Sequence, residues 1–551
     1  MTPQNQTPRS REPIISRNAL IAFVILALAV RFLWLIFGNP VIQEEGVYYA
    51  RIAENLVKGK LFLCLDERKI CLTEQPLFIF LIAGLNYFGI NSELAGNLIS
   101  LIFGSAFVVP MALITGRLYG RQVAYIAATL VALHPFLIGL SICVVSEMTY
   151  LFLLMSGLYF VYSSLDEKFF WRLSLSGMFF GLAYLTRVEG LALPFLAILF
   201  LCLIRRWSLR GLFLGSLAIL TPFFVLAVPY ILFLSIHAGH LAFEGKLKAN
   251  YGRQMSILKG APPEEFLFKI DDTSETPKAS GQEAKNDVTF KDRILLMLKA
   301  GGGCIKSLVN RLEDSFCLGQ PLLFGLVALG LFGSKWSKER MADESLLLLV
   351  VGVAGVAYFI GAPLPFMARH LAIFFCIMLI WAAKGIHELC GWGVESSGFA
   401  TDSVAVKRAF NPVVCAIPVV LFLAVSFMGE MRLDSYDMKG TVIDKQAGHW
   451  IKDEMPSQET LMDTRPIAAF YSGMKMIPFP YCDSAAALKY IQNTGIDLII
   501  LRTTDTDRPY LKSWIESGIP DERAKLINTM SDQNGCTVKI YRWQPTSDHT
   551  S

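Results

Sequence analysis

The sequence predicts a polytopic α-helical membrane protein that ends in a separate α/β domain, and three observations carry that prediction. Of 551 residues, 54% are hydrophobic and only 17% are charged, whereas soluble domains carry roughly a quarter charged residues. Apolar runs long enough to cross a bilayer, about 17–25 residues, recur between residues 19 and 428. Beyond residue 429 the pattern changes to short strands and helices punctuated by glycine. A net charge of +4, small and scattered, argues against nucleic acid as a partner.

Taken in order, the polar stretch Met1–Asn18 has no small-residue cleavage site after the first apolar run, so that run is expected to stay as an anchor. Spans are expected at 19–38, 93–116, 121–141, 144–164, 173–188, 190–204, 211–235, 316–334, 344–362, 365–383 and 411–428, of which 173–188 and 190–204 are short. The run Pro76–Ile90 is only about 15 residues and reads as an interfacial or re-entrant segment. The positive-inside rule supports leaving it out. With a cytoplasmic N-terminus, alternate connections hold Arg9, Arg11 and Arg17; Arg117 and Arg121; Lys168 and Arg172; Arg205, Arg206 and Arg210; Lys335, Lys338 and Arg340; Lys384, Lys407 and Arg408. If 76–90 spanned, the residues from Arg117 to Arg210 would face outward. The expectation is about eleven transmembrane helices in residues 1–428. A first outer loop then covers 39–92 and a long outer loop 236–315, with an extracytoplasmic α/β domain at 429–551.

Within the first outer loop, residues 46–58 read as an amphipathic helix with Tyr48, Tyr49, Ile52, Ala53 and Leu56 on one face. It is expected to lie in the interface, aromatics toward lipid. The long loop is polar around Lys269–Lys291 and is expected to be mobile, ordering over a site. In the C-terminal domain, strands are expected at Leu461–Asp463, Lys475–Pro478, Asp497–Leu501 and Thr537–Tyr541. Helices at Ile467–Ser472, Ser484–Asn493 and Arg508–Ser517 fall between them, with Gly473 and Gly495 at C-cap positions. Cys64/Cys71, Cys304/Cys317 and Cys482/Cys536 all fall outside, where an oxidising compartment allows bridges; unpaired cysteines are the other reading.

The chemistry-bearing candidates gather at the outer surface. Glu44 and Glu45 follow the first span, and adjacent acids are costly to hold near hydrocarbon. Gly-rich phosphate loops, HExxH and GxSxG are all missing. His237-Ala-Gly-His240 reads as two solvated loop histidines, and no metal is expected.

The acid pair, Thr73-Glu74-Gln75-Pro76, Leu133-His134-Pro135, Ser146-Glu147, Thr186-Arg187-Val188-Glu189-Gly190 and Met367-Ala368-Arg369-His370, in this order, resemble a known group. It is the GT-C-type lipid-linked sugar transferases, with the protein O-mannosyltransferase-like and aminoarabinose-transferase-like families nearest. The resemblance runs from about Arg31 to Pro545. The family has Asp-Glu where this chain has Glu44-Glu45, Glu-Lys-Pro-Pro where Glu74-Gln75-Pro76 stands, Pro at Val188, and Tyr at His370.

The resemblance implies a membrane glycosyltransferase that moves a sugar from a polyprenyl-phosphate donor to a lipid, glycan or protein hydroxyl, with inversion and without a cofactor. Membrane lipids surround the donor tail. On that reading Glu44 is the catalytic base, and Glu45 or Glu74 orients it or binds the acceptor. Arg369, and Arg187 after it, contact phosphate through the planar guanidinium fork. Tyr48, Glu189 and His370 complete the substrate-binding set. Each residue also has a plainer reading. Glu44 and Glu45 could cap the 46–58 helix, and Glu74 the segment from Pro76. Arg369 could snorkel, Arg187 and Glu189 could lock a turn, and Glu147 could bond between helices. Arg31 could snorkel or pair with the acids. A transporter or flippase of a lipid-linked saccharide is the alternative function, although no paired halves with broken spans are visible.

Overall fold

A computed structural model describes residues 15–245, 321–360, 368–396, 416–427 and 441–544, apart from positions 39, 64, 66–69, 166–169, 205–207, 457–458 and 534. The expected long outer loop therefore lies largely outside the described residues, as do Cys64, Cys304 and Cys317.

The membrane part opens with α1 (Arg17–Gly38), α2 (Glu44–Val57), α3 (Pro76–Tyr87), α4 (Ser92–Ala106) and α5 (Val108–Tyr119). It continues with α6 (Arg121–Leu133), α7 (Pro135–Ile142), α8 (Glu147–Ser163), α9 (Phe170–Thr186), α10 (Leu193–Leu203) and α11 (Leu209–Ala238). Further helices follow at Pro321–Phe332, Lys338–Ile360, Ala372–Ser396 and Ala416–Phe427. Where the expected spans lie within the described residues, they fall largely on helix. Among the described residues, however, four helices are long and apolar enough to cross a membrane, or five if one bent pair counts as a span. Lys338–Ile360 is not among them; its first two turns carry Lys338, Glu339, Arg340, Asp343 and Glu344. Pro76–Tyr87, left out of the span count on length, is a helix of 12 residues.

The bent pair is α6 and α7, which meet at 50°. Pro135 lacks the amide that would continue α6 and its ring clashes with the preceding turn, so the last carbonyls of α6 are left without helical partners. Arg31 fills that gap. Fully buried, it donates from Nη1 to the Ala132 carbonyl at 2.8 Å, from Nη2 to the Val131 carbonyl at 3.0 Å, and from Nε to Ser141 Oγ at 3.0 Å. Arg31 neither snorkels nor pairs with the outer acids; it stitches a broken helix inside the bundle. Elsewhere backbones approach closely. A Cβ on Gly177 of α9 would sit 2.0 Å from the Ile219 carbonyl of α11, the kind of small-residue contact by which membrane helices pack.

The structure also corrects the expected setting of the 46–58 helix. The face of α2 with Val47, Tyr49, Ala50, Ile52 and Ala53 is buried with Phe78, Ile79, Ala95, Val144, Ile467 and Phe470. Protein, not lipid, covers it: α3 and α4 on one side and the C-terminal domain on the other.

That domain holds helices Thr441–Glu454, Ile467–Ser472, Ser484–Thr494 and Leu511–Ser517, and strands β1 (Thr460–Asp463), β2 (Lys475–Pro478), β3 (Leu498–Arg502), β4 (Ala524–Ser531) and β5 (Thr537–Trp543). The sheet order is β2-β1-β3-β5-β4. The first three strands run parallel and the last two pair antiparallel. Gly473 and Gly495 end their helices in the left-handed region at φ 82° and 67°. β4 was not expected: it is a largely exposed edge strand bulged between Leu526 and Asn528, so it lacks an apolar alternation. Cys482 and Cys536 are free thiols. They pack in separate cores on the two faces of the sheet, so the expected bridge between them is absent. Arg502 is fully buried, donating from Nε to Asp444 at 2.5 Å and from Nη2 to Asp463 at 2.8 Å, as a buried charge requires.

Candidate active site

Four chain segments deliver charge to one point at the end of the bundle nearest the C-terminal domain. The first turn of α2 brings Glu45, and Tyr49 follows one turn on. The first turn of α8 brings Glu147. The 3-10 turn Val188–Ala192 and the residue before it bring Arg187 and Glu189, and the 3-10 turn Ala368–Leu371 brings Arg369 and His370. Acids in the first turn of a helix, as Glu45 and Glu147 are, are favoured by the backbone dipole. Two glycines make the convergence possible. A Cβ on Gly46 would meet the Val144 carbonyl at 2.8 Å, and one on Gly190 would meet the Tyr184 amide at 2.3 Å. The first lets α2 lie against the approach to α8, and the second lets the 188–192 turn fold back on α9.

The charges are interlocked. Glu147 Oε1 lies 3.0 Å from Arg187 Nη1 and 3.7 Å from Arg369 Nε. Arg187 also holds Glu189 at 3.0 Å, and Arg369 pairs with Glu45. The Tyr49 hydroxyl donates to Glu45 Oε1 at 3.0 Å and lies 3.4 Å from Ser146 Oγ. Burial, and after it the Glu45 carboxylate, hold the Tyr49 phenol well above its usual range, so it serves as a donor. Arg369 Nη1 and Glu147 Oε2 are buried without a hydrogen-bond partner among the described residues. Such groups are expensive unless a ligand or water meets them.

Beside this network lies a cavity of about 450 Å³. Glu147, Arg187, Glu189, Arg369 and His370 form its polar part, while Tyr150, Phe195, Leu196, Val350, Ala354 and Ile373 contribute to its apolar wall. The shape suits an amphiphile with an anionic head.

The expected site residues divide. Glu45, Arg187, Glu189, Arg369 and His370 come together. Glu44 is exposed, one residue and about 100° of helix away from Glu45. Tyr48 is half-buried and Glu74 is buried, the latter accepting from the Thr73 hydroxyl at 3.3 Å; neither lines the cavity. Arg187 and Glu189 do form the turn-locking pair, and both also line the cavity. Tyr49 and Ser146 were missed, and Glu147 was weighed without being chosen. The i,i+4 spacing of Glu45 and Tyr49 was the available signal. Among the described residues no group of three His, Cys, Asp or Glu could hold a metal ion. His237 and His240 each turn a ring nitrogen to a nearby backbone carbonyl.

A family profile described as dolichyl-phosphate-mannose-protein mannosyltransferase matches residues 73–232. Among solved structures, ArnT from Cupriavidus metallidurans aligns at TM-score 0.55 and 12% identity, covering 95% of this chain and 98% of that one. The same protein bound to undecaprenyl phosphate aligns at TM-score 0.52 and 12% identity, over 95% and 98% of the two chains. The oligosaccharyltransferase AglB from Archaeoglobus fulgidus, in complex with an inhibitory peptide and a dolichol-phosphate, aligns at TM-score 0.52 and 12% identity, covering 97% of this chain and 74% of that one. Among curated protein sequences no match is found.

Proposed function

We propose that this chain, which has the GT-C glycosyltransferase fold, moves a sugar from a polyprenyl-phosphate donor to an acceptor hydroxyl at the outer face of the membrane. The observation that carries the proposal is the pairing of Glu45 with Arg369, the latter lining the polar end of an apolar cavity. That is one carboxylate and one guanidinium where a headgroup and a nucleophile would meet. The related folds captured with undecaprenyl phosphate and dolichol-phosphate agree with a lipid-phosphate ligand.

In the reaction, Glu45 takes the proton of the acceptor hydroxyl as its oxygen attacks the anomeric carbon. The bond from that carbon to the phosphate oxygen breaks, and the lipid phosphate leaves with the electron pair, inverting the centre. A carboxylate within hydrogen-bond reach contributes about 10²–10⁴-fold to such a step. Arg369, with Arg187 behind it, neutralises charge on the departing phosphate. In the free enzyme Arg369 is occupied by Glu45 and Glu147. A bound phosphate draws on the same guanidinium, loosening its hold on Glu45 and leaving that carboxylate freer to accept a proton. Tyr49 holds Glu45 in orientation. Glu44, expected as the base, remains the competing assignment and separates by substitution.

Charge supports an outward-facing site: Arg340 and Lys384 gather around Ser334, as at a cytoplasmic end, in agreement with Glu45 and the C-terminal domain lying on the other side. Purified protein incubated with radiolabelled polyprenyl-phosphate sugars tests the proposal. Sugar transfer, or slow release as free sugar, supports it. A donor that crosses the bilayer of a proteoliposome intact, with no sugar released, supports the flippase alternative instead.

A further inference from the structure

Resting on that reading, we infer that the C-terminal domain is a positioning device for the catalytic helix, and that Arg51 and Tyr471 are its positioning residues. The α2 helix does not secure its own start: its N-cap, Gln43, makes no side-chain capping bond. The residue before it, Ile42, is buried, and its amide is met from the C-terminal domain, donating to the Tyr471 hydroxyl at 3.2 Å. That same hydroxyl donates to Glu93 at the start of α4 at 2.6 Å. One phenol thus ties the lead-in of α2 to a membrane helix.

The other half of the contact lies two turns further along α2. Arg51 Nη2 donates to the carbonyls of Ala469 at 2.7 Å and Met474 at 3.2 Å, closing the C-terminal end of the helix Ile467–Ser472, whose last carbonyls need partners. Its guanidinium also lies 5.5 Å from the centre of the Phe470 ring. The two helices are therefore pinned at two points, with apolar contact between them. Lys445 and His449, from the helix Thr441–Glu454, back the Tyr471 ring at 5.1 Å each. Glu45 sits between the two pins, three residues past Ile42 and six before Arg51. A rotation of α2 by one residue would replace Glu45 with Glu44 or Gly46 at Arg369. The domain's docking thereby selects which of two adjacent acids reaches Arg369. Neither Arg51 nor Tyr471 lines it, so both act through α2.

The test uses the full chain in detergent or nanodiscs, with Tyr471→Phe and Arg51→Ala as probes. Each is expected to lower kcat about tenfold, since small displacements of a reacting group are costly, while the donor KM stays near wild type. Amide exchange should quicken across residues 42–49 and stay unchanged in β3. Glu93→Gln, which keeps an acceptor oxygen for Tyr471, should behave as wild type, and Glu93→Ala should match Tyr471→Phe. Wild-type kcat in both probes, or exchange rising equally in α2 and β3, would overturn the inference. If the wild-type protein transfers no sugar at all, the functional reading falls, and the exchange pattern alone still decides this inference.

Discussion

Glu44 and Glu45 are the same residue type at neighbouring positions, yet one is exposed and the other is paired with Arg369 and Tyr49. Sequence alone could identify the acid pair but not its phase, because helix phase here is set by contacts with Val144 and with the C-terminal domain, both far away along the chain. Two outcomes follow at this scale. Tyr49→Phe removes a hydrogen bond to a charged partner, worth about 1.5–3 kcal/mol, and should lower kcat roughly tenfold with little change in donor KM. Arg369→Lys keeps the charge and loses the planar fork; it should raise the donor KM at least severalfold, read from steady-state kinetics with a polyprenyl-phosphate sugar. An Arg369→Lys enzyme with wild-type donor KM would remove the bidentate phosphate contact from the account.

Among the elements, the legible ones were those with strong local signals. The strands β1, β2, β3 and β5 sit in apolar runs, two glycines mark helix ends, and the short Pro76–Tyr87 helix was recognisable by length. The edge strand β4 depends on tertiary contacts, and so does the repair of the break that Pro135 makes. Arg31 shows why: a buried arginine in a first span looks like a membrane-surface residue until Val131 and Ala132 supply its partners. Helix packing gives the prediction here. Gly177→Val would press a side chain into the Ile219 carbonyl of α11. Ordinary overpacking costs about 1–3 kcal/mol, and a backbone carbonyl cannot swing aside as a side chain can. The variant should lose its monodisperse peak in size-exclusion chromatography, whereas Gly84→Ala, with open space around its Cβ position, should not. A monodisperse, active Gly177→Val protein would contradict the close α9–α11 contact.

For the whole molecule, the class of fold was visible in composition and charge, and a family resemblance in the order of short motifs; the joining of the two domains was not. The C-terminal domain brings its own pH dependence. Burial first, and Asp463 among the charges, raise the Asp444 carboxyl to about 6 against the pull of Arg502. The native state therefore holds a proton that the unfolded chain releases near its ordinary value, about pH 4. Stability from this group is full below that pH and is lost as pH rises through about 6. Amide exchange in β3, corrected for intrinsic rate, should accelerate between about pH 4 and 7, and Asp444→Asn should flatten that trend; an equally steep trend in the variant would remove Asp444 as its source. The most direct test of the central claim is single-turnover transfer from a radiolabelled polyprenyl-phosphate sugar by Glu45→Gln and Glu44→Gln proteins side by side. The account predicts a loss of about 100-fold or more for Glu45→Gln with Glu44→Gln near wild type; full activity in Glu45→Gln, or the reverse ranking, would contradict it.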